Sequence, residues 1–547
     1  MSETNKKQSF LHGAALLAIA AAVVKLIGFF YKIPLSKIIE TTGYGYFTTA
    51  YDVYSMLLLV STAGLPVAMS RMISQAAALG NYNQVRKIYK VSRMIFLILG
   101  ILSTTIMMVG CKVLANLLNQ PNAWIAILCL GPSALFMGIM SSYRGFFQGQ
   151  GNMRPTSNSQ MLEAVFKLLV GLAVAYAIMK MTKSIPFAAG GAIIGVSVSC
   201  LVSVIYLRAV FTPAYRELPH SEDKALSTGA TAKTLLAIAV PITIGSAGLQ
   251  LLTVVESGLY MGRLVDLVDS GRYMAHLVTG GVTAQDVADN IKGVYGQAMT
   301  IFNMPCALIV PISISVIPAI TSSLTVGDDK AVRETEESAA RVTSLISLPC
   351  SIGIMMLAEP IMGLLWGHTG DDLVLGGQLM AILGMCIFLY AIIQYTNSLL
   401  QAHGFAHLPV INMLVAGVAK LGVVYILVGN PNIGMLGAPI GAAISYAAIA
   451  IMNLITIARV VPQKPRLAVN FLRSMIPALI MGAAVFGAQY GLTKILGEGA
   501  SRIILTGGPI AVGAVVYLVA AVFCKSITAE DCKLLPKGEK IAKLLKL

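Results

Sequence analysis

Long apolar segments follow one another along nearly the whole chain. Fourteen can be marked, most of them at or above the roughly 20 residues that an α-helix needs to cross a bilayer. They are 10–39, 44–78, 88–113, 123–147, 156–180, 186–211, 233–265, 291–325, 335–362, 373–401, 407–429, 434–461, 470–494 and 501–525. Backbone polar groups inside a bilayer need internal partners, so such segments form helices. The sequence predicts an all-α polytopic membrane protein with 14 transmembrane helices.

Composition supports this class. The 547 residues are 56% hydrophobic and 12% charged, whereas soluble domains carry about 25% charged residues. The net charge of +15 would suggest nucleic acid in a soluble protein. Here most Lys and Arg fall in loops on the side of the N-terminus, as the positive-inside rule requires. We therefore predict no nucleic-acid partner, and place both the N-terminus and the C-terminus in the cytoplasm.

The sequence offers no sign of a cofactor, a metal or an enzyme site. The eight cysteines are scattered without a Cys-x-x-Cys pair or a Cys/His cluster. There is no phosphate-binding loop of Walker type, no zinc-protease motif and no nucleophile elbow. Any transport is expected to draw on Na⁺ or H⁺ gradients, the membrane potential or the gradient of the substrate.

An internal repeat sets the architecture. The stretch 143–176 returns with many substitutions at 396–427. Three pairs align at one constant offset: Gln148 with Gln401, Gly151 with Gly404 and Lys167 with Lys420. Each copy has a polar, glycine-containing turn followed by an apolar helix that carries a lysine.

The repeat extends to whole halves, because the sequence around Tyr44 resembles that around Tyr295. Six helices per half is an even number, so both halves enter the membrane from the same side. Such parallel repeats place the substrate path between the halves. We predict a six-helix lobe with its linker at 1–232, a second six-helix lobe at 233–461, and helices 13 and 14 with a basic cytoplasmic tail at 462–547.

Charged side chains inside a membrane are costly and mark candidate sites. Lys25, Gly28 and Lys32 share one face of the first helix. Two ammonium groups beside a glycine suit a mobile phosphate that must later leave. Two alternatives stay open: Lys32 extends to the outer interface, or Lys25 pairs with Asp52 or Glu256.

Asp52 and Glu256 are the buried carboxylates of the two halves. They either take a coupling cation or proton, or neutralise lysines. Neither has an obvious cluster of oxygen ligands beside it in the sequence, so they do not define a sodium site.

Glu163 and Lys167 lie one helical turn apart, in the geometry of a local ion pair. In the second copy of the repeat, the residue four positions before Lys420 is Ala416, whereas the residue four positions before Lys167 is Glu163. Lys420 therefore loses the local partner and is expected to face the central cavity.

Arginines and prolines complete the set of candidates. Arg71, at the cytoplasmic end of the second segment, either contacts an anionic head group or anchors the helix. Prolines inside helices free carbonyls and permit bends, as in transporters. The predicted hinges are Pro66, Pro241, Pro311 and Pro318.

Several strings resemble one family. They are GYGYFTTAYDVYSMLLLVSTAGLPVAMSRMISQ, FFQGQGNMRPTSNSQMLEAVFK and QAHGFAHLPVINMLVAGVAK. The chain is similar to the polysaccharide-transport branch of the multidrug/oligosaccharidyl-lipid/polysaccharide exporter superfamily, within it the stage V sporulation protein B group and the Gram-positive lipid II flippases. The resemblance implies two lobes in a V around a cationic cavity, and a groove on helices 13 and 14 for a polyprenyl tail. It also implies cavity cations at Lys25 and, by position, Lys32, with Lys420 and Asp52 as weaker matches.

The resulting hypothesis is a flippase in a bacterial plasma membrane. It would move an undecaprenyl-pyrophosphate-linked cell-wall precursor, lipid II first among them, outward by alternating access. Membrane lipids and cell-wall synthesis proteins are the expected partners. The alternatives are a cation-coupled multidrug exporter, a polytopic glycan polymerase or transferase, and a non-transporting scaffold for wall synthesis.

Overall fold

The computed structural model describes residues 3–62, 64–462, 465–497, 501–524 and 526. Every regular element among these residues is a helix, which confirms the predicted all-α class. The α-helices are α1 (Glu3–Thr62), α2 (Leu65–Ala78), α3 (Tyr82–Val109), α4 (Cys111–Leu117), α5 (Trp124–Gly149), α6 (Arg154–Thr182), α7 (Ile185–Arg216), α8 (Thr228–Asp269), α9 (Ala284–Val326), α10 (Asp329–Met356), α11 (Ala358–Trp366), α12 (Gly370–Ala402), α13 (His407–Val428), α14 (Gly437–Val460), α15 (Leu467–Leu472), α16 (Met475–Leu496) and α17 (Arg502–Phe523).

Twelve spans within the described ranges are long and apolar enough to cross a membrane. Helix α1, which is not among the twelve, contains the first predicted segment and the start of the second. The predicted count of 14 is consistent with these helices and stays a prediction. The basic tail lies outside the described residues.

The first two predicted segments are divided differently from the prediction. Helix α1 continues from the first segment into the second, with a kink at Glu40, where φ is 61° and ψ is 173°. The second segment is interrupted just before α2, next to the predicted hinge at Pro66. Gly64 precedes Pro66 there, and a Cβ on Gly64 would lie 2.0 Å from the carbonyl oxygen of Ala239. The proline lacks an N–H, and the close approach of α8 admits only glycine, so the helix ends and restarts.

The two halves repeat the same order of elements. In each half a long helix, α3 or α10, leads into a short one, α4 or α11, and then into three long helices. The counterparts α6 and α13 are also alike in exposure, since only 17% and 11% of their apolar windows are buried. Both helices therefore present most of their apolar surface outward, as helices facing lipid do.

The chain forms two compact units, Met1–Gly293 and Val294–Leu547. The division falls within α9, so α8 and the start of α9 pack with the first unit. The first unit has a core of aromatic and aliphatic side chains, including a group of stacked rings on Tyr89, Tyr143 and Phe211. The predicted domain boundaries at 232 and 461 stay predictions.

The predicted linker is docked on the start of α3. Both carboxylate oxygens of Asp223 accept hydrogen bonds, from the backbone N–H groups of Asn83 and Gln84, each at 2.9 Å. Arg86 donates to the carbonyl oxygens of Leu218 and Pro219 at 2.8 and 3.2 Å. These contacts satisfy backbone donors that the first turn of a helix leaves open.

Candidate anion site and buried charge networks

The lysine face of α1 is accessible. Lys25 is exposed, Lys32 is half-buried, and an added Cβ on Gly28 would meet no atom within 4 Å. The space in front of the glycine is therefore open between the two lysines. An anion could approach the helix at this point with an ammonium group on either side.

Behind this face lies a group of charges in the interior of the first unit. Arg144 on α5 donates to Oε2 of Glu163 on α6 at 3.2 Å and to Oγ of Ser159 at 3.0 Å. The ion pair of Glu163 is thus with Arg144 on the preceding helix, and not with Lys167 one turn away. Two different nitrogens of the planar guanidinium, Nε and Nη2, reach the two acceptors, whereas a lysine ammonium would offer a single point charge.

Lys167 has a different neighbour. Its Nζ lies 5.7 Å from the centre of the Tyr31 ring on α1, a cation–π contact. Its charge also repels that of Lys32. Among the described residues, this part of the unit thus groups three cations, Lys32, Lys167 and Arg144, near the carboxylate of Glu163, so basic side chains outnumber acidic ones there.

A second network joins α1 to α8 and α9. Nζ of Lys292 donates to Oγ of Ser257 at 2.8 Å, and the Ser257 hydroxyl donates to Oδ2 of Asp52 at 3.3 Å. Lys292, only 2% exposed, also lies over the ring of Tyr260. Glu256 is buried beside Ser257. Asp52 thus finds its cation in Lys292, on α9.

The same network continues along one face of α9. The carboxylate of Asp289, which is 0% exposed, accepts hydrogen bonds from Gln120 at 2.7 Å and from Gln285 at 3.0 Å. Gln120 in turn accepts a hydrogen bond from Thr49 on α1. From the sequence, Lys292 was given no role, and Asp289 was assigned to an external loop, 266–290, which the polymerase or transferase alternative would use. Their signal was the spacing of Gln285, Asp289 and Lys292, which places three polar side chains on one helix face.

Glycines bring the backbones together at this crossing. A Cβ on Gly45 would lie 2.7 Å from the carbonyl oxygen of Asp289, and one on Gly293 would lie 1.9 Å from that of Thr41. Each position excludes any larger residue while the helices stay in place.

In the second unit the counterpart of the arginine cluster is neutral. Asn453 on α14 donates to Oδ1 of Asn397 at 2.8 Å and accepts from Nδ2 of Asn412 at 2.9 Å. Lys420 on α13 is half-buried, and Ala416 is 4% exposed. The structure thus keeps Lys420 without a carboxylate at the i−4 position, as the sequence indicates.

The remaining candidates are distributed. Arg71 is exposed on α2. Pro66 lies at the start of α2, next to the helix break, whereas Pro241 lies within α8 and Pro311 and Pro318 lie within α9. Within the ranges that the structure describes, no three His, Cys, Asp or Glu side chains are grouped as metal ligands.

The twelve apolar spans define a multi-pass membrane protein. The chain belongs to the polysaccharide biosynthesis protein family, whose model matches residues 10–324, and a second model of the same description matches residues 278–374. This confirms the resemblance noted in the sequence.

Two relatives come from Bacillus subtilis (strain 168). Stage V sporulation protein B is 22% identical over 97% of this chain and 98% of its own length. Lipid II flippase MurJ is 23% identical over 88% of this chain and 89% of its own. Among solved structures, an inward-facing multidrug resistance transporter of the MATE family in the MOP superfamily matches with a TM-score of 0.62 at 17% identity, over 81% of this chain and 99% of that one. The chain therefore has the fold of that superfamily.

Proposed function

We propose that this protein is a flippase that moves an undecaprenyl-pyrophosphate-linked cell-wall precursor, lipid II first among them, to the outer leaflet of a bacterial cell membrane. The observation that carries the proposal is a group of exposed and half-buried cations on and behind α1 in the first unit. Lys25, Lys32 and Lys167 belong to it, and among the described residues the carboxylate of Glu163 beside them is engaged by Arg144.

The pyrophosphate would sit against the lysine face of α1. Open space at Gly28 lets the phosphate oxygens approach the helix between Lys25 and Lys32. Lysines bind as point charges without a fixed fork, so a head group held by them can be released again. A membrane potential that is negative inside favours outward movement of an anion by about 2.3 kcal/mol per charge per 100 mV.

The network on Lys292 would act at the opposite stage of the cycle. It ties α1 to α8 and α9 through Ser257 and Asp52. Alternating access requires such contacts to separate when the head group leaves on the outside. In this proposal Asp52 and Glu256 balance Lys292, and the N-terminus and C-terminus lie in the cytoplasm.

The relatives' names support a lipid-linked substrate, and cell-wall synthesis proteins are the expected neighbours. The rival is a cation-coupled multidrug exporter, which the shared fold permits. A site for cationic drugs needs an excess of acidic groups, whereas the excess around Lys32 and Lys167 is basic. Export of a cationic dye by reconstituted protein, together with no movement of lipid II, would favour the rival.

The test is translocation of lipid II by the full-length protein in vesicles. Lys25→Ala should lower the rate about tenfold or more, the expected loss for one charged contact. Lys37→Ala is the matched control, because Lys37 is an exposed lysine on another face of α1. Lys25→Arg should keep part of the activity. Unchanged translocation by folded Lys25→Ala protein would sink the assignment.

A further inference from the structure

Two exposed arginines flank one pair of stacked rings on the surface of the first unit. Arg93 lies on α3 and Arg208 on α7. The two helices meet there through Tyr89 and Phe211, whose ring centres are 4.5 Å apart. Both guanidinium groups act electrostatically on the hydroxyl of Tyr89. The two positive charges therefore share one place on the surface.

The directions of the helices place both arginines on the membrane side of these rings. Thr104, late in α3, donates to the carbonyl oxygen of Gly131 at 2.9 Å, and Ser197, early in α7, donates to that of Cys129 at 2.8 Å. The two acceptors are close together on α5, so α3 and α7 run antiparallel along it. From the rings towards the middle of both helices, each arginine follows after about one turn.

Beyond the arginines the surface of both helices is apolar. On α3, Leu97 is half-buried and Ile101 is exposed at successive steps of four residues after Arg93. On α7, Ile205 and Leu201 are exposed one and two turns before Arg208. Residues at these spacings share a helix face. The arginines thus mark the border between a polar end and a surface suited to hydrocarbon chains.

The two charges lack a protein anion in the part of the chain that the structure describes. No carboxylate there forms an ion pair with Arg93 or Arg208. Asp223, on the linker, is engaged by the first turn of α3. Like charges repel more strongly as the surroundings become less polar. A phosphate compensates both, because its oxygens match the planar donors of a guanidinium.

The second unit covers the corresponding surface with protein. Its α10 is the counterpart of α3, and Arg341 lies at nearly the same distance from the start of its helix as Arg93. Helix α15 packs against α10, and Arg341 donates to Asn470 of α15 at 2.9 Å. In the first unit the linker follows α7 as α15 follows α14, but its contacts with Arg86 lie nearer the start of α3. Arg93 is left exposed.

We propose that Arg93 and Arg208 bind the phosphate of an anionic phospholipid whose acyl chains lie along α3 and α7. The lipid takes the place that α15 fills in the second unit. It belongs to the leaflet on the side of the linker, which the predicted orientation makes the cytoplasmic leaflet. The site goes beyond the proposed function, because its lipid is a membrane component and not the transported precursor.

The test is native mass spectrometry of the purified full-length protein in detergent, titrated with phosphatidylglycerol or with phosphatidylcholine of the same acyl chains. The wild type should bind its first phosphatidylglycerol about tenfold more tightly than its first phosphatidylcholine, as charged hydrogen bonds to one phosphate predict. Arg93→Gln and Arg208→Gln should each remove most of this preference. Both residues are exposed, so neither change disturbs a buried contact.

Arg216→Gln is the matched control, since Arg216 is an exposed arginine in the last turn of α7, on the far side of the rings. It should keep the wild-type preference. An equal loss in Arg216→Gln, or an unchanged preference in Arg93→Gln with Arg208→Gln, would overturn the site. Displacement of the lipid by millimolar inorganic phosphate would show a site for free phosphate and would overturn the lipid assignment. The titration contains no lipid II, so its outcome is independent of the flippase proposal.

Discussion

The two copies of the repeat share a turn and differ in what lies behind it. In the first copy, the N–H of Asn152 donates to the carbonyl of Phe147 at 2.9 Å. In the second copy, the N–H of Phe405, which aligns with Asn152, donates to the carbonyl oxygen of Leu400 at 2.8 Å. Behind the turn, the first copy has the ion pair of Arg144 and Glu163, where the second has Asn397 and Ala416.

The comparison distinguishes the packing role of these residues from the role of their charge. In both copies the side chains behind the turn link the end of one long helix to the next, but in the first copy the link is an ion pair. An amide cluster suffices for that link, so the ions in the first copy are not needed for packing alone. Arg144 and Glu163 lie near Lys32 and Lys167. The first copy therefore differs from the second in its electrostatic field, and not in how its helices are linked.

The largest effect is expected from breaking the ion pair. Arg144→Asn copies the second unit but leaves the carboxylate of Glu163 without its cation, and should lower the free energy of unfolding by about 3–5 kcal/mol. Adding Glu163→Ala completes the copy and should recover most of the loss. Chemical unfolding of the two single variants and the double variant, as a double-mutant cycle, checks this. Additive effects would show that the pair is not coupled.

A smaller loss is expected in the amide cluster. Asn453→Leu removes the hydrogen bonds that Asn453 donates to Asn397 and Thr396 and the one that it accepts from Asn412. Since these groups are neutral, the free energy of unfolding should fall by about 1–3 kcal/mol, less than for Arg144→Asn. The same denaturation series measures it, and a loss as large as that of Arg144→Asn would contradict the distinction between the copies.

The turn itself should respond equally in both copies. Gly151 and Gly404 have φ of 75° and 86°, in the left-handed region. Gly151→Ala and Gly404→Ala should therefore each cost about 1 kcal/mol, from backbone strain alone, because no atom lies within 4 Å of an added Cβ. Unfolding temperatures that differ clearly between the two variants would show that the turns are not equivalent.

The smallest effect is expected at the linker between α7 and α8, which is docked on the start of α3 in the first unit through Asp223. Desolvation raises the pKa of the Asp223 carboxyl, but the hydrogen bonds from the Ser221 side chain and from the N–H groups of Asn83 and Gln84 together outweigh it, so this pKa lies below its ordinary value. The contact is therefore at full strength above the ordinary pKa of aspartate and is lost as pH falls through the lowered value. Limited proteolysis should cut the linker faster at low pH, and Asp223→Ala should make cutting faster at neutral pH and insensitive to acid over that window. A wild-type rate independent of pH would contradict this.

The sequence was enough to predict the helices, from the length of the apolar segments, and the internal repeat, from the constant spacing of aligned residues. The predicted segments match the helices closely, apart from the kink at Glu40 and the earlier start of α9. Pairings across helices were out of reach. Arg144 and Glu163 are far apart in sequence, and the only signal of their contact was that the second copy loses both together.

Lys292 was missed for a different reason. The eighth predicted segment began at residue 291, one position before Lys292, because residues 284–290 were assigned to a loop. Polar residues extend α9 there because their partners, Gln120 and Thr49, are buried with them. Hydrogen bonds between distant parts of the chain can stabilise a helix in a polar segment, and the composition of that segment does not reveal them.

The crossing of α1 and α9 at Gly45 and Gly293 leaves no room for water between the two backbones. A channel of water between two helices needs at least the width of one molecule, yet here an added methyl group would already overlap the opposing carbonyl. Water is therefore excluded by the backbones themselves, without any dependence on side-chain rotamers. The seal at this crossing therefore lasts for as long as the two glycines hold α1 and α9 in contact.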